Sequence, residues 1–207
     1  MHIINELHNP AIIDFEIPSL SKIDFDKLYD HTPVEHTYNT LNVSPGRYEM
    51  PNNTPEYFEL CNFLTKPLYD IMEKLMSMDN LRWPILDLGY KDFDDFYQQK
   101  AKRDQGIYIS VMTYKPGFSM PWHLDNRFAV LNGIINVNDH ETQTCFSTTG
   151  LNWDHNTESP KADDIIIHRG TKNKFQGTAW TNNELNWHCV PNVTVERKII
   201  LFTLSLR

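Results

Sequence analysis

Residues 107–125 read IYISVMTYKPGFSMPWHLD, and this stretch marks a change of character along the chain. Its first six residues alternate, with Ile107, Ile109 and Val111 on one side and their neighbours on the other. Such a period of two predicts a half-buried β-strand, and the Lys-Pro-Gly sequence at 115–117 is typical of a turn. The second half of the chain is therefore predicted to consist of strands.

The strand-like pattern returns several times before the chain ends. Short sequences rich in Asn, Gly and Pro separate these segments, which is typical of a β-sandwich or barrel. Besides 107–112, the segments predicted as strands are 128–137, 164–168, 178–181, 184–190 and 197–206.

The first half of the chain is rich in loops and contains helical patterns. Thr54 can cap a helix over 54–78, and Pro67 is expected to kink or divide it. Residues 92–102 are predicted as a second helix, because acidic residues begin the segment and basic residues end it. Residues 2–50 are expected to form short strands or extended segments lying over the core.

Helices followed by strands indicate an α+β chain that is mainly β, with a jelly-roll or cupin-like core and N-terminal helices packed on it. The change of character divides the chain into a helical and extended segment, 1–104, and a core, 105–207. We expect the two parts to form one structural domain, because 207 residues suit one large core.

Composition is that of a globular protein, since 40% of the residues are hydrophobic and 22% are charged. The net charge of −8 makes nucleic acid an unlikely partner, because domains that bind it usually carry a basic face. One basic cluster, formed by Lys161, Arg169, Lys172 and Lys174, is interpreted as a solvated loop.

The cysteines Cys61, Cys145 and Cys189 form no CxxC pair and match no zinc motif. We interpret them as reduced, mostly buried thiols, and Cys189 as a packing residue. Residues 1–15 have neither a basic start nor an unbroken apolar stretch, and no segment reaches the roughly 18 apolar residues of a membrane span. We therefore expect a cytoplasmic protein with no membrane partner.

The sequence His123-Leu124-Asp125 can place two metal ligands on one side of the chain, because residues two apart in an extended segment point the same way. By itself this pattern is weak, since the chain has nine histidines and many acidic residues. Two histidines and one carboxylate on one face of an octahedron form the recognised iron(II) site of non-haem oxygenases. The third ligand must then come from a distant strand.

His168 and His188 both lie in strand-like segments and are candidates for that ligand. Arg197 follows His188 by nine residues and opens an apolar run, whereas Gly177 stands nine residues after His168. A cation in such a strand needs a partner, and the planar fork of arginine suits a carboxylate. We therefore favour His188. The simpler alternatives are an Arg197 that faces water and a His188 that only packs in the core.

The order His123-x-Asp125, then His188, then Arg197 resembles the Fe(II)/2-oxoglutarate-dependent dioxygenase superfamily. It is most similar to the prolyl-hydroxylase-like branch, in bacterial or phage form. The resemblance covers about residues 108–206, and the first hundred residues match nothing that can be named.

Two more positions relate to that branch. A tyrosine shortly before the H-x-D motif lines the co-substrate pocket there, and Tyr114 stands at the corresponding place. The strand after the motif lacks the tyrosine expected near its end, and Asn136 is the candidate substitute for holding the co-substrate.

The resemblance implies a double-stranded β-helix core with His123, Asp125 and His188 as ligands of Fe(II). It implies that 2-oxoglutarate chelates the iron while its C5 carboxylate reaches Arg197, and that O₂ takes the last open position. Oxidative decarboxylation would then yield succinate and CO₂, and the carboxylate at Asp125 favours hydroxylation over halogenation. The implied substrate is a side chain of a protein or peptide, with a small molecule as the alternative.

Further residues are expected around the site. Trp180 and the loop 171–176 are predicted at the pocket entrance, and the polar stretch 138–162 is interpreted as a surface insertion and a candidate lid. His140 and His155, within that stretch, are expected to be exposed to solvent.

Two other functions fit parts of this pattern. A cupin-type metalloenzyme that does not use 2-oxoglutarate shares the strands and histidines, but has no use for Arg197 inside the barrel. A non-catalytic β-sandwich binding protein predicts no tight metal site.

Overall fold

A computed structural model of the chain describes residues 1–8, 11–36, 43–78, 89–99, 107–125, 129–148, 167–182 and 186–205. The strands of these ranges are β1 (His2–His8), β2 (Ala11–Glu16), β3 (Val34–Glu35), β4 (Arg47–Glu49), β5 (Ile107–Tyr114), β6 (Met120–His123), β7 (Ala129–Asn136), β8 (Cys145–Ser147), β9 (Ile167–Arg169), β10 (Gln176–Thr181), β11 (His188–Val190) and β12 (Arg197–Ser205). The helices are a 3-10 helix (Pro18–Lys22) and the α-helices α1 (Phe25–Tyr29), α2 (Pro55–Met78) and α3 (Phe93–Gln99).

The strands form two antiparallel sheets. The larger sheet has eight strands in the order β1-β2-β10-β7-β12-β5-β4-β3, and the smaller has four in the order β6-β11-β8-β9. Strand β12 lies in the middle of the larger sheet, where it pairs with β5 on one side and β7 on the other. These two sheets are the predicted double-stranded, mainly β architecture.

An apolar core lies between the two sheets. The alternation of β5, β7 and β12 directs Met112, Ile134 and Ile199 inward, where they pack with Phe146 and Val190 of the smaller sheet. The inward faces of these strands also carry polar side chains, and these form the site described below.

A second core covers the opposite face of the larger sheet. Helix α2 begins as predicted, because Thr54 accepts a hydrogen bond from the backbone N–H of Tyr57 (3.2 Å). Its apolar side packs on residues such as Phe15 of β2. Pro67 does not divide the helix. The buried side continues from Leu64 to Leu68, so packing offsets the backbone hydrogen bond that proline removes.

The structure confirms the predicted strands of the second half, and it adds two. Strands β6 and β8 are only four and three residues long, too short for a clear alternation. The first fifty residues contain short strands, as predicted, and β1 and β2 extend the larger sheet through β10. The division at residue 105 stays a prediction, because 100–106 are outside the described residues.

Among the described residues, no helix combines the length and apolar character that crossing a bilayer requires.

The close contact of Gly133 with Phe202 gives a test of how β7 and β12 pack. A Cβ atom at Gly133 would lie 2.0 Å from Cζ of Phe202, whose ring is fully buried. We expect Gly133→Ala to lower the free energy of unfolding by about 1–3 kcal/mol in urea denaturation, because overpacking displaces the ring. The same change should cost less in a Phe202→Leu background. Equal costs in both backgrounds would contradict this contact.

Candidate metal centre

Pairing of β11 with β6 brings two distant histidines together. His188 is the direct cross-strand partner of His123. Side chains of opposed residues in an antiparallel pair lie on the same face, and here the two imidazole centroids are 4.2 Å apart. Both rings face the interior between the sheets, and His188 is 4% exposed.

Asp125 completes the cluster just beyond the end of β6. Its Oδ2 lies 3.4 Å from Nε2 of His188, and its Oδ1 lies 4.0 Å from Nε2 of His123. One potential ligand atom from each of the three residues lies within 4.8 Å of the others. The structure therefore brings together the three residues that the sequence singled out, at a spacing that a single metal ion could bridge.

Backbone carbonyl groups orient both rings. Nδ1 of His123 contacts the carbonyl oxygen of Pro121 (2.8 Å), and Nδ1 of His188 contacts that of Asn186 (3.0 Å). A carbonyl oxygen only accepts, so each Nδ1 carries the hydrogen and each Nε2 keeps its lone pair. Burial lowers the pKa of His123, and the neighbouring His188 lowers it further. The neutral ring, which is the form that binds metals, is thus favoured.

Asp125 is oriented by two donors from the larger sheet. Asn132 of β7 donates through Nδ2 to Oδ2 (2.8 Å), and Trp180 of β10 donates through Nε1 to the same oxygen (3.2 Å). Hydroxyl Oγ1 of Thr203 in turn donates to Oδ1 of Asn132 (2.6 Å). These donors occupy Oδ2 and leave Oδ1 as the freer ligand atom. Neither Asn132 nor Thr203 belongs to a sequence pattern that indicates a site residue.

Arg197 lies between the sheets as a buried cation. Its side chain is 1% exposed, and both Nη atoms donate to the hydroxyl oxygen of Thr144 at 3.1 Å. Its Nε has no hydrogen-bond partner, and no carboxylate of the described residues pairs with the guanidinium. Burial lowers the pKa of Arg197 to about 10, so the group remains charged at neutral pH. The alternative in which Arg197 faces water is wrong.

A small, narrow pocket opens beside this guanidinium. Trp180 is one of its walls and also donates to Asp125, so the pocket reaches from the arginine towards the His-Asp-His cluster. Apart from Arg197, the residues that line the pocket are uncharged. The lining consists of Ile134, Asn136, Thr144, Gly170, Thr171, Thr178, Trp180 and Arg197.

Asn136 and Tyr114 have different places relative to this pocket. Asn136 lines it, and its Nδ2 donates to Oγ1 of Thr171 (3.1 Å). Tyr114 does not line it. The Tyr114 ring stacks on Phe118 (4.4 Å between centroids) and lies 5.9 Å from the Arg197 guanidinium carbon. Trp180 and Thr171 line the pocket, and their place at its entrance stays a prediction.

The remaining histidines have other surroundings. Nε2 of His168 lies 3.1 Å from Oδ2 of Asp14, away from the cluster. His140 is 4% exposed, so its predicted exposure is wrong; the amide of Asn136 gives its ring a buried hydrogen-bond partner. His155 and most of the candidate lid lie outside the described residues.

Solved structures with a similar fold include a prolyl hydroxylase from Trichoplax adhaerens, in complex with a hypoxia inducible factor peptide fragment. It has a TM-score of 0.57 and 10% identity, over 95% of this chain and 84% of that one. A prolyl-4-hydroxylase from Pseudomonas putida has a TM-score of 0.53 and 14% identity, over 95% and 92%. An oxidoreductase of the 2OG-Fe(II) oxygenase family from Burkholderia pseudomallei has a TM-score of 0.53 and 13% identity, over 94% and 85%.

This chain has the fold of those oxygenases. At these identities the likeness establishes the double-stranded β-helix architecture. No protein-family model matches the sequence, and no curated protein matches it.

The choice between His188 and His168 can be tested by metal binding. We expect the chain to bind one Mn(II) or Co(II) ion. His188→Ala should weaken this binding by more than the roughly 10–100-fold that follows when a metal ligand loses a supporting hydrogen bond. His168→Gln is the matched control and should bind as the wild type does. Anaerobic isothermal titration calorimetry measures both. Loss of binding in the His168 variant with retention in the His188 variant would reverse the assignment.

Proposed function

We propose that the protein is an Fe(II)- and 2-oxoglutarate-dependent oxygenase that hydroxylates a C–H bond of its substrate. In this proposal His123, Asp125 and His188 hold the iron, and Arg197 binds the far carboxylate of 2-oxoglutarate. The proposed substrate is a side chain of a protein or peptide, or a small molecule. The peptide complex of the T. adhaerens hydroxylase supports the first of these.

The donor set fits iron(II) in a site with open positions. Two imidazoles and one carboxylate form the facial arrangement that leaves three positions for co-substrate and O₂. Both Nε2 atoms face the carboxylate, and both Nδ1 atoms are held by backbone carbonyls. A structural zinc site would instead use four protein ligands, and only three converge among the described residues.

Buried Arg197 is the observation that carries the proposal. A cation away from water is costly unless an anion accompanies it, and the described residues supply only the hydroxyl of Thr144. In this proposal the far carboxylate of 2-oxoglutarate is the anion that accompanies the cation. A cupin-type metalloenzyme that does not use 2-oxoglutarate gives this charge no purpose.

The chain's own residues then have separate tasks. Bound iron would supply the oxidising chemistry, in which 2-oxoglutarate and O₂ would give succinate and CO₂, with one oxygen atom of O₂ in succinate and the other inserted into the substrate. Arg197 and Thr144 fix one end of the dicarboxylate, and Trp180 forms a wall beside it. Asn132 and Trp180 keep the Asp125 carboxylate turned to the two histidines. The apolar side chains around the pocket exclude water, which strengthens these polar contacts.

Arg197→Gln tests the carboxylate partner directly. We expect the variant to lose about 2–5 kcal/mol of binding free energy for 2-oxoglutarate, because the buried ligand charge loses its partner. Calorimetry with Mn(II) in place of iron measures this loss, and succinate release measures the catalytic effect. The ligand-free variant should not be less stable to urea than the wild type, because the mutation removes an unpaired buried charge.

Lys198→Gln is the matched control on the same strand. Its ammonium group lies 4.6 Å from the Tyr29 ring centroid, on the other face of the sheet. We expect 2-oxoglutarate affinity to be unchanged. A wild-type protein that binds Mn(II) but not 2-oxoglutarate would overturn the proposed function and favour a different metalloenzyme.

A further inference from the structure

His140 lies behind the Arg197 pocket and takes no part in the function described so far. Its Nε2 is 2.7 Å from Oδ1 of Asn136, and its Nδ1 is buried with no hydrogen-bond partner. An amide oxygen only accepts, so Nε2 carries the hydrogen in this arrangement. The opposite tautomer would set a bare Nε2 against that oxygen, and two acceptors 2.7 Å apart repel each other.

The surroundings keep this imidazole neutral. Burial and, less strongly, the positive charge of Arg197 lower the pKa of His140 to about 3. Three weaker influences act in addition: the backbone of Thr142 and the charge of Asp139 raise the pKa, and Lys172 lowers it. The ring is therefore uncharged at neutral pH and serves as a single hydrogen-bond donor towards the amide.

The hydrogen bond decides which way the Asn136 amide points. With Oδ1 held by His140, the NH₂ group lies on the side of the Thr171 hydroxyl, to which it donates one hydrogen (3.1 Å). The second hydrogen stays available in the pocket that Asn136 lines beside Arg197. A flipped amide would present its oxygen there instead, and an oxygen acceptor would repel a carboxylate.

We infer that His140 is a positioning residue for the co-substrate, which holds the Asn136 amide so that its N–H donates to the far carboxylate of 2-oxoglutarate beside Arg197. The inference rests on the proposed function, since it assigns a second donor to the same carboxylate. Arg197 supplies the charge, and the amide fixes how the carboxylate is turned. A carboxylate offers about four acceptor sites, enough for both donors.

Binding of 2-oxoglutarate to the Mn(II)-loaded chain tests the inference. We expect His140→Ala to raise the dissociation constant about 10- to 100-fold, the range for a lost hydrogen bond to a charged group. Asn136→Ala should have a similar effect. The double variant should bind no more weakly than either single variant, because the two residues act through one contact. His140→Gln keeps a donor and should recover much of the affinity.

Kinetics and the Mn(II) affinity separate positioning from general damage. The KM for 2-oxoglutarate should rise in His140→Ala while kcat changes little, and Mn(II) binding should stay as in the wild type. The effects of His140→Ala and Asn136→Ala on the dissociation constant could instead multiply in the double variant. That result would overturn the inference. So would unchanged 2-oxoglutarate binding in His140→Ala. A wild-type chain that binds Mn(II) without 2-oxoglutarate would instead overturn the proposed function itself.

A measurement on the wild type alone avoids any folding defect of the variants. The ¹⁵N chemical shifts of the histidine ring report which nitrogen is protonated. We expect His140 to be neutral with its hydrogen on Nε2, and the Nε2 signal to shift when 2-oxoglutarate is added. A hydrogen on Nδ1 would overturn the inference whatever the variants do.

Discussion

The pairing of β11 with β6 is the constraint on which the site depends. It places His188 opposite His123, and neither residue could reach the other through local structure. Strand β8 pairs with the other side of β11, with Phe146 opposite His188, so the ring of His188 lies against a fixed aromatic surface. A shift of one residue in this pairing would turn His188 away from the interior, because side chains alternate between the faces of a strand. The geometry of the cluster thus follows from strand register.

A second constraint is electrostatic and opposes folding. Arg197 is held between two sheets with one threonine hydroxyl as its hydrogen-bond partner. No carboxylate of the described residues offsets the free energy that its guanidinium loses on leaving water. The apolar strand β12 supplies enough burial to keep it there, since Ile199, Ile200 and Phe202 are fully buried. A bound anion would remove this penalty, so ligand binding and stability are linked. A buried group that lowers the stability of the fold is expected at functional sites.

Much of this arrangement could be predicted from the sequence, because it depends on local patterns. The alternation of β5 and the apolar run of β12 indicate strands, and the H-x-D spacing places two ligands on one side. His188 was chosen through the cation nine residues later, which is again a local relation. The burial of His140 could not be predicted in this way, since it depends on a hydrogen bond to Asn136. The roles of Thr144 and Asn132 likewise depend on which strands face each other, and short polar segments carry no signal for that.

Strand β7 connects the two ends of the site. Asn132 and Asn136 are four residues apart on one face, about 13 Å along the strand at roughly 3.3 Å per residue. In each, a neighbour donates to the amide oxygen, Thr203 to Asn132 and His140 to Asn136. Each NH₂ group is thereby directed to another side chain, to Asp125 in one case and to Thr171 at the wall of the Arg197 pocket in the other. Because β7 pairs with β10 and β12 on both sides, the distance between the His-Asp-His cluster and the Arg197 pocket is set by a central strand and not by a loop.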